Sequence, residues 1–128
     1  MTLTEFQNLF NFKSSQLNTL VFEEKEHTES AILLINFSYW MQKSYKKGTP
    51  RTGLVKVIFH HVLSHAGIQE TVTPLTMIGA ELSESAEDTK GAETITFSLV
   101  DSQSDTIKEL TITAESVDVL RIDDLKEI

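Results

Sequence analysis

The sequence has no cysteine, which excludes disulfides, thiol catalysis and cysteine-based zinc or iron–sulfur sites. Glycine is scarce, and the glycine-rich motifs that bind phosphates or dinucleotides do not occur. The longest uninterrupted apolar run, Ala31 to Ile35, is far shorter than the roughly 20 residues of a membrane-spanning helix. The first residues also lack the basic start and apolar core of a secretory signal. We therefore expect a cytoplasmic protein with no cofactor and no membrane contact.

Positive charge is scarce as well, since 19 acidic residues face 11 basic ones over a length of 128 residues. Most of the excess falls in residues 81–128, where thirteen acids accompany four bases. Nucleic acids and anionic membranes repel such a chain, whereas a basic protein attracts it. The length fits one domain spanning residues 1–128. A basic partner protein is therefore the expected ligand, and the oligomeric state stays open.

The N-terminus has the spacing of a capped amphipathic helix. Thr2 and Glu5 stand three residues apart, as in a capping box. An apolar stripe at helical spacing follows, formed by Leu3, Phe6, Leu9 and Phe10. Because so short a helix is not stable alone, we expect it to pack on a sheet, with Phe12 continuing the contact.

The rest of the chain alternates between apolar and polar residues with the period of β-strands. The clearest apolar positions are Leu33, Ile35, Phe37, Tyr39 and Met41; Val55, Val57, Phe59, His61 and Leu63; Ile95, Phe97 and Leu99; and Leu110 with Ile112. Residues 20–22, 74–82 and 117–122 are weaker candidates. The pattern predicts a mainly β fold, an antiparallel sandwich or half-barrel of about seven strands with a short N-terminal α-helix. An α+β fold is the alternative, because residues 31–47 and 54–66 also fit helices.

Three histidines, His60, His61 and His65, form the one cluster suited to metal binding or catalysis. In a helix, His61 and His65 would lie one turn apart and could share a zinc ion. In a strand they lie about 13 Å apart, too far for one ion. The strand interpretation places His61 at a half-buried position, His60 on the other face and His65 at the start of a turn. A small histidine-dependent hydrolase or metalloenzyme is therefore an alternative and not the preferred function.

From about Leu17 to Ile122 the order of features resembles the small immunity proteins that bacteria encode beside polymorphic toxins. The resemblance lies in the aromatic-rich segment Ile32–Trp40, the sequence Phe59-His60-His61-Val62 and the run from Leu110 to Val117. It implies a β-rich cytosolic protein that binds and blocks a toxin domain without catalysis. No site residue is carried over, because the family has no fixed site motif. A structural or oligomeric accessory domain is the alternative function.

Topology and charge together predict where such a partner binds. In a simple up-and-down meander, alternate connections lie at the same end of the sheet, which brings residues 23–30, 64–73 and 101–105 together. The expected binding residues at this end are Glu24, Glu26, Glu29, Asp101 and Asp105. The other end collects residues 42–52, 83–91 and 115–116. Its basic residues Lys43, Lys46, Lys47 and Arg51 are expected to be neutralised by Glu84, Glu87 and Asp88.

Overall fold

A computed structural model describes residues 1–68, 74–83, 91–101 and 104–122. In this part of the chain one helix, α1 (Leu3–Leu9), precedes six strands. The strands are β1 (Gln16–Lys25), β2 (Thr28–Ser38), β3 (Thr52–Ala66), β4 (Leu75–Ser83), β5 (Glu93–Asp101) and β6 (Thr106–Arg121). A 3₁₀ turn, Tyr39–Met41, follows β2. No helix in these ranges is long and apolar enough to cross a membrane. The predicted mainly β class with a short N-terminal helix is confirmed.

The six strands form one closed antiparallel barrel in the order β1-β2-β3-β6-β5-β4. The predicted simple meander is wrong, because the chain crosses over between β3 and β4 and thereby places β6 beside β3. The predicted connection at residues 115–116 is also wrong, since β6 runs straight through it. This strand is long because it has two partners: Glu93 of β5 lies opposite Ala114, and Arg121 at its far end lies opposite β3. Two predicted strands are therefore one.

The barrel interior is filled by the apolar residues that alternate along the strands. Those on β2, β5 and the first half of β6 are buried as the period-two pattern predicts. Outward-facing threonines pair across β5 and β6, with 2.7 Å between the hydroxyls of Thr94 and Thr113 and 3.1 Å between those of Thr96 and Thr111. The sheet therefore has an apolar inner face and a hydrogen-bonded polar outer face.

Three register shifts interrupt the alternation, one in each of β1, β3 and β4. The extra residues are Asn18, Leu63 and Ile78. Each of these β-bulges bends its strand and adds a residue to the spacing between inward side chains. Leu63 and Ile78 consequently face outward and are 54% and 43% exposed.

The backbone of β3 has a further irregularity at His61, whose φ of 52° lies in the left-handed region. This conformation turns His61 outward and Val62 into the core, where only 9% of Val62 is exposed. The prediction that His61 and Leu63 share the inner face with Phe59 is therefore wrong. A period-two pattern gives no sign of such a residue, because the sequence carries no glycine here.

Helix α1 begins with the predicted capping box. The Glu5 amide donates to the Thr2 hydroxyl, and the Thr2 amide donates to the Glu5 carboxylate. These bonds, from the Thr2 backbone first and then its side chain, hold the pKa of Glu5 below its ordinary value of 4.5. Leu3 and Phe6 are fully buried, but Leu9 is 64% exposed, so the predicted apolar stripe is shorter than the sequence indicates.

The segment before β1 seals one end of the barrel. The Phe6 ring contacts three others, with centroids 5.0 Å from Phe12, 5.7 Å from Phe59 and 6.4 Å from Phe97. Met1 exchanges two backbone hydrogen bonds of 3.0 Å with Val117, beyond the part of β6 that pairs with β5. Helix α1 therefore occupies the space that the short strand β5 leaves beside β6.

Candidate functional site

The connection between β1 and β2 and the connection between β5 and β6 lie at the same end of the barrel. Every neighbouring pair of strands is antiparallel, so alternate connections share an end even though the chain crosses over once. We call this the acidic end, defined by its residues Glu23, Glu24, Glu26, Glu29, Asp101 and Asp105. Glu70, in the predicted segment 64–73, lies outside the described residues.

The β1–β2 hairpin brings three of the predicted site residues together. Glu24 lies directly opposite Glu29 in the strand register, and Glu26 lies at the tip. Two like charges in facing positions repel each other, so this hairpin tip sacrifices stability for negative charge. Glu26 and His27 form a two-residue turn in which both residues have positive φ, 52° and 67°. This is the geometry that Asn-Gly adopts without strain.

His65 links this hairpin to the end of β3. It lies opposite Ile112 and shares its inner face, so it does not start a turn as predicted. Its imidazole stacks on Phe22 with 3.8 Å between ring centroids, and its Nε2 lies 2.9 Å from Glu29 Oε1. That oxygen is buried, so the nearby imidazole is its principal polar neighbour. The contact fixes one of the acidic residues against the barrel wall.

The β5–β6 hairpin holds the other two predicted site residues. Asp101 pairs with Thr106 at the end of the ladder, and Asp105 lies in the turn with a φ of 54°. Two residues further on, Ile107 is 66% exposed and faces outward. The structure does not pair this hairpin with the β1–β2 hairpin, because β3 and β6 lie between β2 and β5.

The remaining histidines form separate pairs on the outer wall. His60 Nε2 lies 2.8 Å from Asp118, and His61 Nδ1 lies 3.9 Å from Glu115. Within the described ranges, no group of three or more histidine and acidic side chains is arranged to hold a metal ion. The two pairs are more than a third exposed on both sides and contribute little to stability.

The opposite end of the barrel carries the basic residues. Arg51 stacks over Trp40 at 5.4 Å, and Arg121 at the end of β6 lies over Tyr39 at 4.4 Å. Lys46 and Lys47 are exposed on the connection from β2 to β3. The predicted acidic partners of these cations, Glu84, Glu87 and Asp88, lie outside the described residues.

An apolar cavity of about 180 Å³ opens at this end, and we call it the aromatic chamber. Its walls come from α1 and the segment after it and from β2, β3 and β6; they include Phe6, Phe10, Phe12, Phe37, Val57 and Val119. Its mouth is formed by Tyr39, Gln42, Ser44 and Arg121. The same four residues, with Tyr45, Lys46, Thr49 and Pro50, line a more polar cavity of about 310 Å³, the vestibule.

Gln42 holds the rim of the chamber in place. Its amide donates to the carbonyl oxygens of Asn11 at 2.7 Å and Ser38 at 3.0 Å, and it accepts from the Asn11 amide at 2.9 Å. One side chain thus ties the segment after α1 to the end of β2. Because these bonds lie within the protein, the chamber is formed before any ligand enters.

The sequence pattern did not reveal this chamber. Phe10, Phe12 and Phe37 have the spacing of ordinary core residues, and their ring centroids lie 5.6–6.2 Å apart. Only the unusual number of phenylalanines near the two chain segments gave a signal. No protein-family model, curated protein or solved structure matches the chain.

Proposed function

We propose that the protein is a non-enzymatic binding module that captures a basic partner protein at its acidic end. The observation that carries the proposal is the placement of Glu24, Glu26 and Glu29 at the same barrel end as Asp101 and Asp105. Lys25 is the one lysine or arginine in the segments 23–30, 101 and 104–105. Such an unbalanced surface accelerates the encounter with a partner of opposite charge.

Exposed apolar area beside the charges supports this role. Ile107 is 66% exposed and follows Asp105 on the same hairpin. Binding energy at protein interfaces is concentrated in a few apolar anchors, while the surrounding charged residues set orientation and association rate. Ile107 is the anchor that we assign to this surface.

The strained turn at Glu26 and His27 also supports it. Neither residue favours positive φ, and an unstrained Asn-Gly turn would hold the same hairpin at lower cost. Residues kept in such conformations are concentrated at binding and active sites. The charged turn therefore fits a surface retained for recognition.

The resemblance to immunity proteins gives the proposal its most specific form. In that form the partner is a toxin domain, the complex is stoichiometric, and the protein acts in the cytoplasm by blocking the toxin. The histidine pairs take no part in this function.

The test compares two charge-reversal variants that change the net charge equally. E24K/E26K/D105K alters the acidic end at exposed residues, while Glu29 and Asp101 keep their contacts. E81K/E115K/D118K alters exposed acids on the barrel wall. The wild-type protein is first used to isolate a binding protein from native lysate, and association with that purified protein is then followed by stopped flow.

We expect the acidic-end variant to associate about tenfold more slowly at roughly 20 mM salt, while the wall variant changes little. The difference should shrink at about 0.5 M salt, where charges are screened within a few ångströms. Equal slowing in both variants would show that only net charge matters. An unchanged rate in the acidic-end variant would place the interface elsewhere.

A further inference from the structure

The aromatic chamber and the vestibule together form an amphipathic site at the end of the barrel opposite the acidic end. The two cavities share Tyr39, Gln42, Ser44 and Arg121, so the apolar space leads directly into the polar one. Ligand sites in barrels have this character, with mostly apolar walls and a few placed polar groups at one side.

The chamber has the size of a single ring or a short alkyl chain. Its volume is about 180 Å³, and a known apolar cavity of roughly 150 Å³ binds benzene. Phe10 and Phe37 present their rings edge to face at 5.8 Å, and Phe37 and Tyr39 do so at 5.7 Å. Aromatic walls at these angles favour an aromatic guest, because edge-to-face contacts add to the burial of apolar area.

The polar side of the site favours an anion. The Arg121 Nε donates to the Tyr39 hydroxyl at 3.1 Å, and its guanidinium lies over the Tyr39 ring, which fixes the positive charge at the mouth. Lys46 contributes a second cation to the vestibule. No acidic residue lines either cavity in the described part of the chain. A guanidinium binds carboxylates strongly through paired hydrogen bonds.

We propose that this site binds a small carboxylate whose apolar body, an aromatic ring or a chain of about six carbons, fills the aromatic chamber. The carboxylate lies in the vestibule beside Arg121 and Lys46. The site is separate from the acidic end, so it neither requires nor excludes the binding of a basic protein there.

Phenylacetate is the probe that tests the proposal, because one methylene separates its ring from its carboxylate. Titration into ¹⁵N-labelled protein should shift the amide signals of Phe37, Val57 and Val119. A ligand of about ten non-hydrogen atoms is expected to bind with a Kd of roughly 0.1–1 mM. Phenylacetamide, which has the same shape without the charge, should bind about tenfold more weakly, and phenethylammonium should not bind.

Three variants separate specific binding from attraction to a basic surface. R121Q should weaken phenylacetate binding about tenfold, because it removes the charge at the mouth. R51Q is the matched control, since Arg51 stacks on Trp40 and lines neither cavity, and it should bind like the wild type. V119F fills the chamber from a partly buried wall position and should abolish binding.

The outcome is decisive even if V119F fails to fold, because the comparison of R121Q with R51Q stands by itself. Equal loss in both arginine variants would overturn the proposal, since it would show general anion attraction. Shifts confined to the lysine-bearing segment around Lys46, without shifts at Val57 and Val119, would overturn it as well. So would the absence of any shift at about 10 mM phenylacetate.

Discussion

Individual residues in the left-handed region account for several features of this barrel that side-chain contacts do not explain. His61 turns the alternation of β3, and Asp105 forms the β5–β6 turn. At the tip of β1–β2, Glu26 and His27 are both held at positive φ, which costs a non-glycine residue of order 1 kcal/mol. This strain is local and exposed, so its size can be measured by substitution.

Replacing His27 with glycine should stabilise the protein. Glycine adopts positive φ without the steric cost of a Cβ, and part of that gain is offset by the greater freedom of the unfolded chain. We expect the free energy of unfolding in urea to rise by about 0.5–1 kcal/mol. The control is S30G, three residues further along the same hairpin in β2, where glycine has no such advantage and should destabilise. A loss of stability in H27G would contradict the assignment of strain to the turn.

At the scale of elements, helix α1 depends on the barrel for its stability, and the barrel depends on α1 for one of its ends. Phe6 is fully buried among Phe12, Phe59 and Phe97, whereas Leu9 on the same helix is 64% exposed. The two apolar residues of this helix therefore have very different energetic weight.

F6A should lower the free energy of unfolding by about 3–5 kcal/mol, because it removes a ring and leaves a cavity among three others. L9A is the matched control and should change stability by less than about 0.5 kcal/mol. Both values come from urea denaturation followed by far-ultraviolet circular dichroism. Similar effects for the two variants would mean that α1 does not pack as described.

The elements that were predicted correctly are those with unbroken periodicity. The capped helix, β2, β5 and the first half of β6 follow from spacing alone, because each presents one regular face to the core. Elsewhere the inner-face spacing is three residues instead of two, as between Leu17 and Leu20 or between Met77 and Ala80. Bulges follow from closure of the sheet, so local pattern made β1 and β4 weak candidates and put His61 on the wrong face.

The candidate sites divide in the same way. The acidic end was predictable, because the end at which a connection lies depends only on the alternating direction of the strands. It survived the error in strand order for that reason. The aromatic chamber was not predictable, because it arises where α1, β2, β3 and β6 meet, and the sequence separation of these elements hides their proximity.

At the scale of the whole molecule, closure of the barrel relies on one short seam. β1 and β4 pair only through Gln16 with Thr76 and Leu17 with Leu75 among the described residues. Two backbone bonds extend this seam, from Ser14 to Met77 at 3.0 Å and from Met77 to Ser15 at 2.8 Å. The β3–β6 interface is much longer, with ten paired positions.

Native-state hydrogen exchange should therefore show the seam opening before the rest of the barrel. The amides of Ser14 and Met77, which donate across it, are expected to exchange at least tenfold faster than the protected amides of β3 and β6. Uniform protection of all these amides would mean that the barrel opens only by global unfolding.

The three bulges have a consequence for how this chain would fail. A small barrel needs sharply coiled strands, and bulges supply that curvature. A deletion that removed Asn18 or Ile78 would flatten β1 or β4 and part the seam between them. Two unpaired strand edges would then be open to other chains, and such edges template aggregation. Shortening these strands is therefore expected to yield insoluble assemblies and not merely a less stable monomer.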